Sequence, residues 1–215
     1  MARTSALLPA AAAAVAIVAL VAVFRWQPAA VEPAAREFAT PTLEAGVALT
    51  PPAALPEFSL RDQRGNLFTA AALRGHRSLV FPGFTHCPDI CPTTLAILER
   101  THDLLGSTAS ALQVILLSVD PERDTPETLA RYLAFFNPGF TGVTGEQEQL
   151  QRLYTGLGVQ HIRIPGAGGE YSVDHSAALL LVDPEGRLAG YFMPPFQAER
   201  LAADLGPLLA ASIQE

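Results

Sequence analysis

Ser78-Leu79-Val80-Phe81-Pro82-Gly83-Phe84-Thr85-His86-Cys87-Pro88-Asp89-Ile90-Cys91-Pro92 is the stretch on which the fold turns. Ser78 to Phe84 is a short apolar run, the pattern of a buried strand. Thr85 to Pro92 follows at once and holds both of the chain's two cysteines, Cys87 and Cys91, each followed by a proline. Beyond it, Leu95, Leu98, His102 and Leu105 recur at helical spacing through Thr93 to Leu105. Pro92 suits a first helical position, which places Cys91 near the N-cap. There the unpaired N–H groups and the helix dipole favour a thiolate, both a nucleophile and a soft-metal ligand.

On either side the pattern continues. Phe58 to Leu67 reads as a hairpin turning through Asp62-Gln63-Arg64-Gly65-Asn66. Pro82 inside the Ser78 to Phe84 strand removes a ladder donor and predicts a strand end or irregularity there. Leu112 to Val119 reads as a second buried strand. Thr125 caps a helix that has Pro126 first, Glu127 in its first turn and Leu129, Leu133 and Phe136 on one face. Thr144 and Gln147 predict a capping box for a third helix through about Thr155, ended by Gly156 or Gly158. A short strand near Val159 to Ile164, a glycine-rich loop, and a hairpin with arms Ala177 to Val182 and Leu188 to Phe192 come next. A last helix, about Gln197 to Ala211, is expected to kink or break at Gly206-Pro207. An early βαβ, then an antiparallel hairpin and a final helix is the thioredoxin-like order, here α/β with an N-terminal hairpin extension.

Composition narrows the function. The 215 residues carry a net charge of -7, and all 14 basic residues are arginine. Without lysine there is no P-loop lysine and no Schiff base, and without a basic run there is no nucleic-acid surface. Two cysteines cannot form a disulfide framework. Residues 4–24 are uncharged and bracketed by Arg3 and Arg25, long enough for one membrane-spanning helix. A cleaved signal peptide and an uncleaved anchor are both readings; no small-x-small site directly follows the run, which favours the anchor. Arg3 and the amino terminus orient the N-terminus inward and the body outward, the topology of a bacterial inner-membrane protein facing the periplasm. Residues 25–54, rich in Pro and Ala, read as a stalk, and 55–215 as the folded domain.

Several uses of the cysteine pair stay open. A structural disulfide would close too short a loop to stabilise much. Two buried thiols fit poorly with the prolines and Asp89 beside them. A redox pair usually has two intervening residues; here there are three, an i,i+4 relation that puts both sulfurs on one helical face. That geometry suits two-point capture of a metal, and soft thiolates select copper or zinc. Of the five histidines, His76 reads as solvated, His102 as a helix-surface contact, and His161 as a strand residue without acidic or sulfur neighbours. His86 adjoins Cys87 but would have to bend back, since adjacent side chains diverge. His175 opens a strand in Val173-Asp174-His175-Ser176-Ala177, whose entry passes beside the cysteine turn in a thioredoxin-like fold. Two thiolates and one imidazole make a sensible copper set. Asp120 either supports a ligand from behind or is an ordinary turn residue.

Three separated segments, Thr85 to Leu95, Ser118-Val119-Asp120-Pro121-Glu122-Arg123-Asp124-Thr125-Pro126-Glu127, and Val173-Asp174-His175-Ser176, together closely resemble the SCO/SenC family of copper proteins. The resemblance extends from about Leu55 onward. It implies a membrane-tethered, thioredoxin-like copper protein that helps assemble the CuA centre of cytochrome c oxidase. The partner it implies is the oxidase subunit carrying CuA. Carried over by that resemblance, one copper ion is bound by Cys87, Cys91 and His175. Oxidation of Cys87 and Cys91 to a disulfide would abolish binding. A thiol–disulfide oxidoreductase acting on partner cysteines is the competing function.

Overall fold

The computed structural model describes residues 43–213. The expected membrane anchor at 4–24 and most of the expected stalk lie outside the described residues. Among the described residues, no helix is long and apolar enough to cross a membrane.

The strands are β1 (Gly46–Ala54), β2 (Ser59–Asp62), β3 (Leu67–Thr69), β4 (Arg77–Gly83), β5 (Leu112–Ser118), β6 (Thr141–Thr144), β7 (His161–Pro165), β8 (Tyr171–His175), β9 (Leu179–Val182) and β10 (Arg187–Phe192). The helices are α1 (Ile90–Leu105), α2 (Pro126–Leu133), α3 (Gln147–Leu157) and α4 (Ala198–Ile213). Eight strands form one sheet in the order β1-β10-β9-β4-β5-β6-β2-β3. β4, β5 and β6 run parallel, and β9 joins β4 antiparallel. β7 and β8 form a separate antiparallel ribbon with Pro165 opposite Tyr171 and His161 opposite His175.

β4 is the centre of the molecule because all seven of its residues are buried. Val80 and Phe81 pair with Ile115 and Leu116 of β5, so apolar side chains extend across both strands. Full burial of one such side chain contributes about 1.5–3 kcal/mol. Helices α1 and α4 pack against each other, burying Leu95 and Leu98 from one and Leu201, Leu205 and Leu209 from the other. α2 covers β6 at close range: a Cβ on Gly142 would lie 2.9 Å from the Leu129 Cβ.

Pro82 stays inside β4, paired with Leu117, because of its position in the ladder. The Gly83 carbonyl accepts the Val119 N–H on the β5 side, so Pro82 faces the β9 side. Pairing with β9 has already ended at Val80, and no ladder bond is lost.

Other expectations need correction. The last nine residues of the expected stalk, Gly46–Ala54, are strand β1, paired antiparallel with β10. Its register shifts between Ala48 and Ala53, where Pro51 and Pro52 fall, the irregular edge position that proline tolerates. The Asp204 carboxylate accepts the Glu44 and Ala45 N–H groups at 2.9 and 2.8 Å and ties this segment to α4. Thr144 ends β6 instead of capping α3, which starts behind Glu146 with no side-chain cap. Gly158 closes α3 in the left-handed region at φ 72°. α4 runs through Pro207 as one helix, its buried leucines outweighing the one backbone donor that proline removes. His175 ends β8 where a strand start was expected.

Candidate metal centre

The end of β4 sets the geometry of the cysteine turn. Gly83 is required there: a Cβ would lie 2.9 Å from Leu116 Cδ1 and 3.2 Å from the Cys91 sulfur. The chain then turns, with the Cys87 N–H donating to the Phe84 carbonyl at 3.3 Å. α1 starts at Ile90 behind Asp89, so Cys91 is its second residue and Pro92 its third, a start two residues earlier than the proline suggested.

Asp124, in the loop between β5 and α2, fastens this turn. It is fully buried. One carboxylate oxygen accepts the Thr85 N–H at 3.2 Å and the Thr85 hydroxyl at 2.6 Å. The other accepts the Ser118 hydroxyl at 2.6 Å. Burial pushes the Asp124 carboxyl up, opposed by the Ser118 and Thr85 donors. No local pattern marks this residue, because the Thr85 donors lie 39 positions away and are brought to it by the fold.

The two cysteines are free thiols, Cys91 fully buried and Cys87 9% exposed. The Cys91 N–H points at the Cys87 sulfur, 3.4 Å away. The Cys91 sulfur lies 3.7 Å from His175 Nε2. His175 Nδ1 sits 2.9 Å from the Ser176 carbonyl, which can only accept, so Nδ1 carries the proton. In the neutral ring this leaves the Nε2 lone pair facing Cys91, the state an imidazole needs to ligate a metal. Phe81 and Phe84 meet the His175 ring edge-on, with centroids 6.5 and 5.9 Å away.

A thiolate at Cys91 was expected from the helix dipole. Burial reverses this: it pushes the Cys91 thiol well up, helped by the neighbouring Cys87. Burial therefore opposes the thiolate that the helix start favours. Among the described residues no three His, Cys, Asp or Glu side chains are already arranged around one point as a metal cage. Cys91 instead links two pairs, with Cys87 on one side and His175 on the other.

The remaining histidines make their contacts elsewhere. His76 meets the Gln113 side chain at 2.9 Å, and His102 lies edge-on to Phe140. His86 turns to the Thr85 hydroxyl at 3.0 Å. His161 faces the Tyr154 ring at 4.9 Å, and burial with the nearby His175 pushes its ring below the usual histidine range. Asp120 is buried, with the Arg123 guanidinium and the Tyr171 hydroxyl as its side-chain partners. It touches neither sulfur nor His175 directly, so its influence on the site runs through the ribbon that carries His175.

A thioredoxin-like α/β domain with two thiols at the strand-to-helix turn and an imidazole facing them defines a class of thiol-based redox and metal proteins. Comparison with known proteins narrows this. Residues 48–210 match the SCO1/SenC family, and the chain belongs to it. A Stutzerimonas stutzeri protein named for copper binding is 42% identical over 157 residues, covering 73% of this chain and 77% of that protein. The structure of Bradyrhizobium japonicum ScoI with copper bound is 37% identical, with a TM-score of 0.67 over 72% of this chain and 99% of that one. Yeast Sco1 is 31% identical, with a TM-score of 0.67 over 73% of this chain and 97% of that one.

Proposed function

We propose that this protein is a copper metallochaperone of the SCO1/SenC family, with Cys87, Cys91 and His175 as ligands for one copper ion. The observation that carries this reading is the approach of His175 Nε2 to the Cys91 sulfur, with the ring's other nitrogen already committed to the Ser176 carbonyl. Soft thiolates and an imidazole are the donors that copper favours. The copper-bound relative supports the choice of metal.

Copper is cargo here. Capture displaces the thiol protons, and delivery exchanges these ligands for a partner's thiolates and imidazoles. The proposed recipient is the CuA-bearing subunit of cytochrome c oxidase, in keeping with the family resemblance. An anchor at 4–24 and a Pro/Ala-rich stalk, its last residues joining the sheet as β1, would hold the domain on the periplasmic side of a bacterial inner membrane. Asp120 supports the site indirectly.

A second reading rests on the free, adjoining thiols. Cys87, the more exposed, attacks a partner disulfide; Cys91 then resolves the mixed disulfide. One disulfide forms here as one is reduced on the partner, with two electrons and two protons passing across. Metal analysis and reduction potential measured on the full-length chain separate the two. Stoichiometric copper that is lost in Cys87→Ser supports the chaperone. Absence of copper binding together with fast disulfide turnover overturns it.

A further inference from the structure

The ribbon that carries His175 has no strand pairing to the main sheet. A two-stranded ribbon is marginal on its own, so side chains must hold it against the body. At its base the Gln160 N–H donates to the Ser176 hydroxyl at 2.9 Å, which closes the ribbon on itself. Val173 is buried in the core, and beyond it the far end is held chiefly through Tyr171, four positions before His175 and opposite Pro165.

Tyr171 is gripped in three ways. Its ring lies between two guanidinium groups, with Arg123 Cζ 3.7 Å and Arg163 Cζ 4.0 Å from the centroid. Its hydroxyl donates to Asp120 Oδ1 at 2.8 Å, and its carbonyl accepts from Arg123 Nη1 at 3.1 Å. Arg123 is fixed in turn by Asp120, whose backbone N–H donates to the Ser118 hydroxyl. Arg163, on the ribbon itself, reaches back to Glu122 at 2.6 Å. That ion pair is half exposed and contributes little alone. The stack on Tyr171 is the tighter element: Arg123 is mostly shielded, and its Nη2 is buried without a hydrogen-bond partner. A guanidinium with one nitrogen left dry is a group whose contact is with the ring face.

Apart from Arg163, which belongs to the ribbon, these partners come from one loop, Asp120 to Arg123. The same loop carries Asp124, which fastens Thr85 beside the cysteine turn. One segment thus holds the cysteine turn and the far end of the His175 ribbon. We propose that Tyr171 is a positioning residue that sets how firmly His175 is presented to Cys91, and hence how readily the imidazole releases its cargo. This rests on Cys87, Cys91 and His175 being the copper ligands.

The test compares Tyr171→Leu, Tyr171→Phe and His175→Ala in the reduced full-length chain. Amide hydrogen exchange is read at Val173 to His175, and release of bound Cu(I) is read by its capture on bathocuproine. Tyr171→Leu removes the ring and hydroxyl while keeping apolar bulk. It should speed exchange in β8 and speed copper release several-fold to roughly tenfold, with exchange in β4 and β5 unchanged. Tyr171→Phe keeps the stacked ring and should recover most of the wild-type behaviour. Wild-type exchange in β8 of Tyr171→Leu overturns the proposal. Faster exchange with unchanged copper release, while His175→Ala still loses copper, also overturns it but leaves the ligand assignment standing. Unchanged copper retention in His175→Ala as well overturns both.

Discussion

His175 Nε2 stands 3.7 Å from the sulfur of Cys91, a residue 84 positions earlier in the chain. The contact joins a ribbon that follows α3 to the first turn of α1. Its polarity is set by the Ser176 carbonyl, which takes the Nδ1 proton. His175→Ala removes this donor from a ring that is only partly buried and leaves the core intact. Loss of a group that merely orients a metal ligand costs 10–100-fold in affinity, so loss of the ligand itself should cost at least roughly 100-fold. A copper competition titration alongside thermal unfolding checks this. Unchanged copper affinity in a folded variant would remove His175 from the site.

The two thiols should differ in reactivity. Cys91 is fully buried and its thiol is pushed above the ordinary 9.0, while Cys87 retains some exposure. Iodoacetamide should therefore label Cys87 first at neutral pH, with Cys91 following only as the pH climbs. The unfolded chain releases the Cys91 proton near pH 9, before the folded chain does. Stability from this group is thus fully present below about pH 9 and falls as the pH rises beyond it. Copper capture moves the other way: affinity should rise with pH, roughly tenfold per unit for each thiol proton displaced. Mass-resolved alkylation and copper titration over pH 6 to 9 (a range of about three units) test both trends. Equal labelling of the two cysteines at neutral pH contradicts the first.

Asp124 offers a test of how the cysteine turn is built. Its two oxygens accept a backbone N–H and two hydroxyls in a dry environment. Asp124→Ala strands these donors, and the expected destabilisation is about 2–4 kcal/mol. Asp124→Asn keeps an acceptor for Thr85, offers a donor to Ser118 and removes a buried charge, so its effect should stay under about 1 kcal/mol. Urea unfolding of both variants gives the comparison. A loss for Asn as large as for Ala would mean that the charge matters more than the hydrogen bonds.

Much of this arrangement was readable from residue order. The apolar runs gave β4 and β5 to within about a residue. Thr125-Pro126 marked the start of α2, where the Thr125 hydroxyl does accept the Thr128 N–H. What escaped were features decided by contact. β1 was hidden because Pro51 and Pro52 look like linker until an edge strand is there to receive them. β6 was hidden because Gly142 breaks the apolar pattern, and only the closeness of Leu129 shows why glycine is needed. Tyr171 and Asp124 carried little local signal: Tyr171 meets Arg123 and Asp120 across 48 and 51 residues, and Asp124 meets Thr85 across 39. The thiol state at Cys91 was misjudged for the same reason. The helix dipole is visible in sequence, whereas the burial that outweighs it is not.

Gly83 lies where packing and function meet. It faces the Cys91 sulfur from the end of β4, with Leu116 and Phe81 closing the remaining space. Gly83→Ala inserts one methyl group at 2.9 Å from the Leu116 side chain and 3.2 Å from the sulfur, so Leu116 must shift and the sulfur must give by a few tenths of an ångström. Leu116 is fully buried and Cys91 is held by its helix, so neither yields without strain. Overpacking of this kind costs about 1–3 kcal/mol. The thiol is the softer of the two neighbours, and any shift of its sulfur moves it relative to His175. Gly83→Ala should therefore lower both stability and copper affinity, whereas Gly142→Ala, packed as tightly but against α2, should lower stability alone. Unfolding curves and copper titrations on the two variants separate these effects; equal copper affinity in both would show that the site adapts to a displaced sulfur.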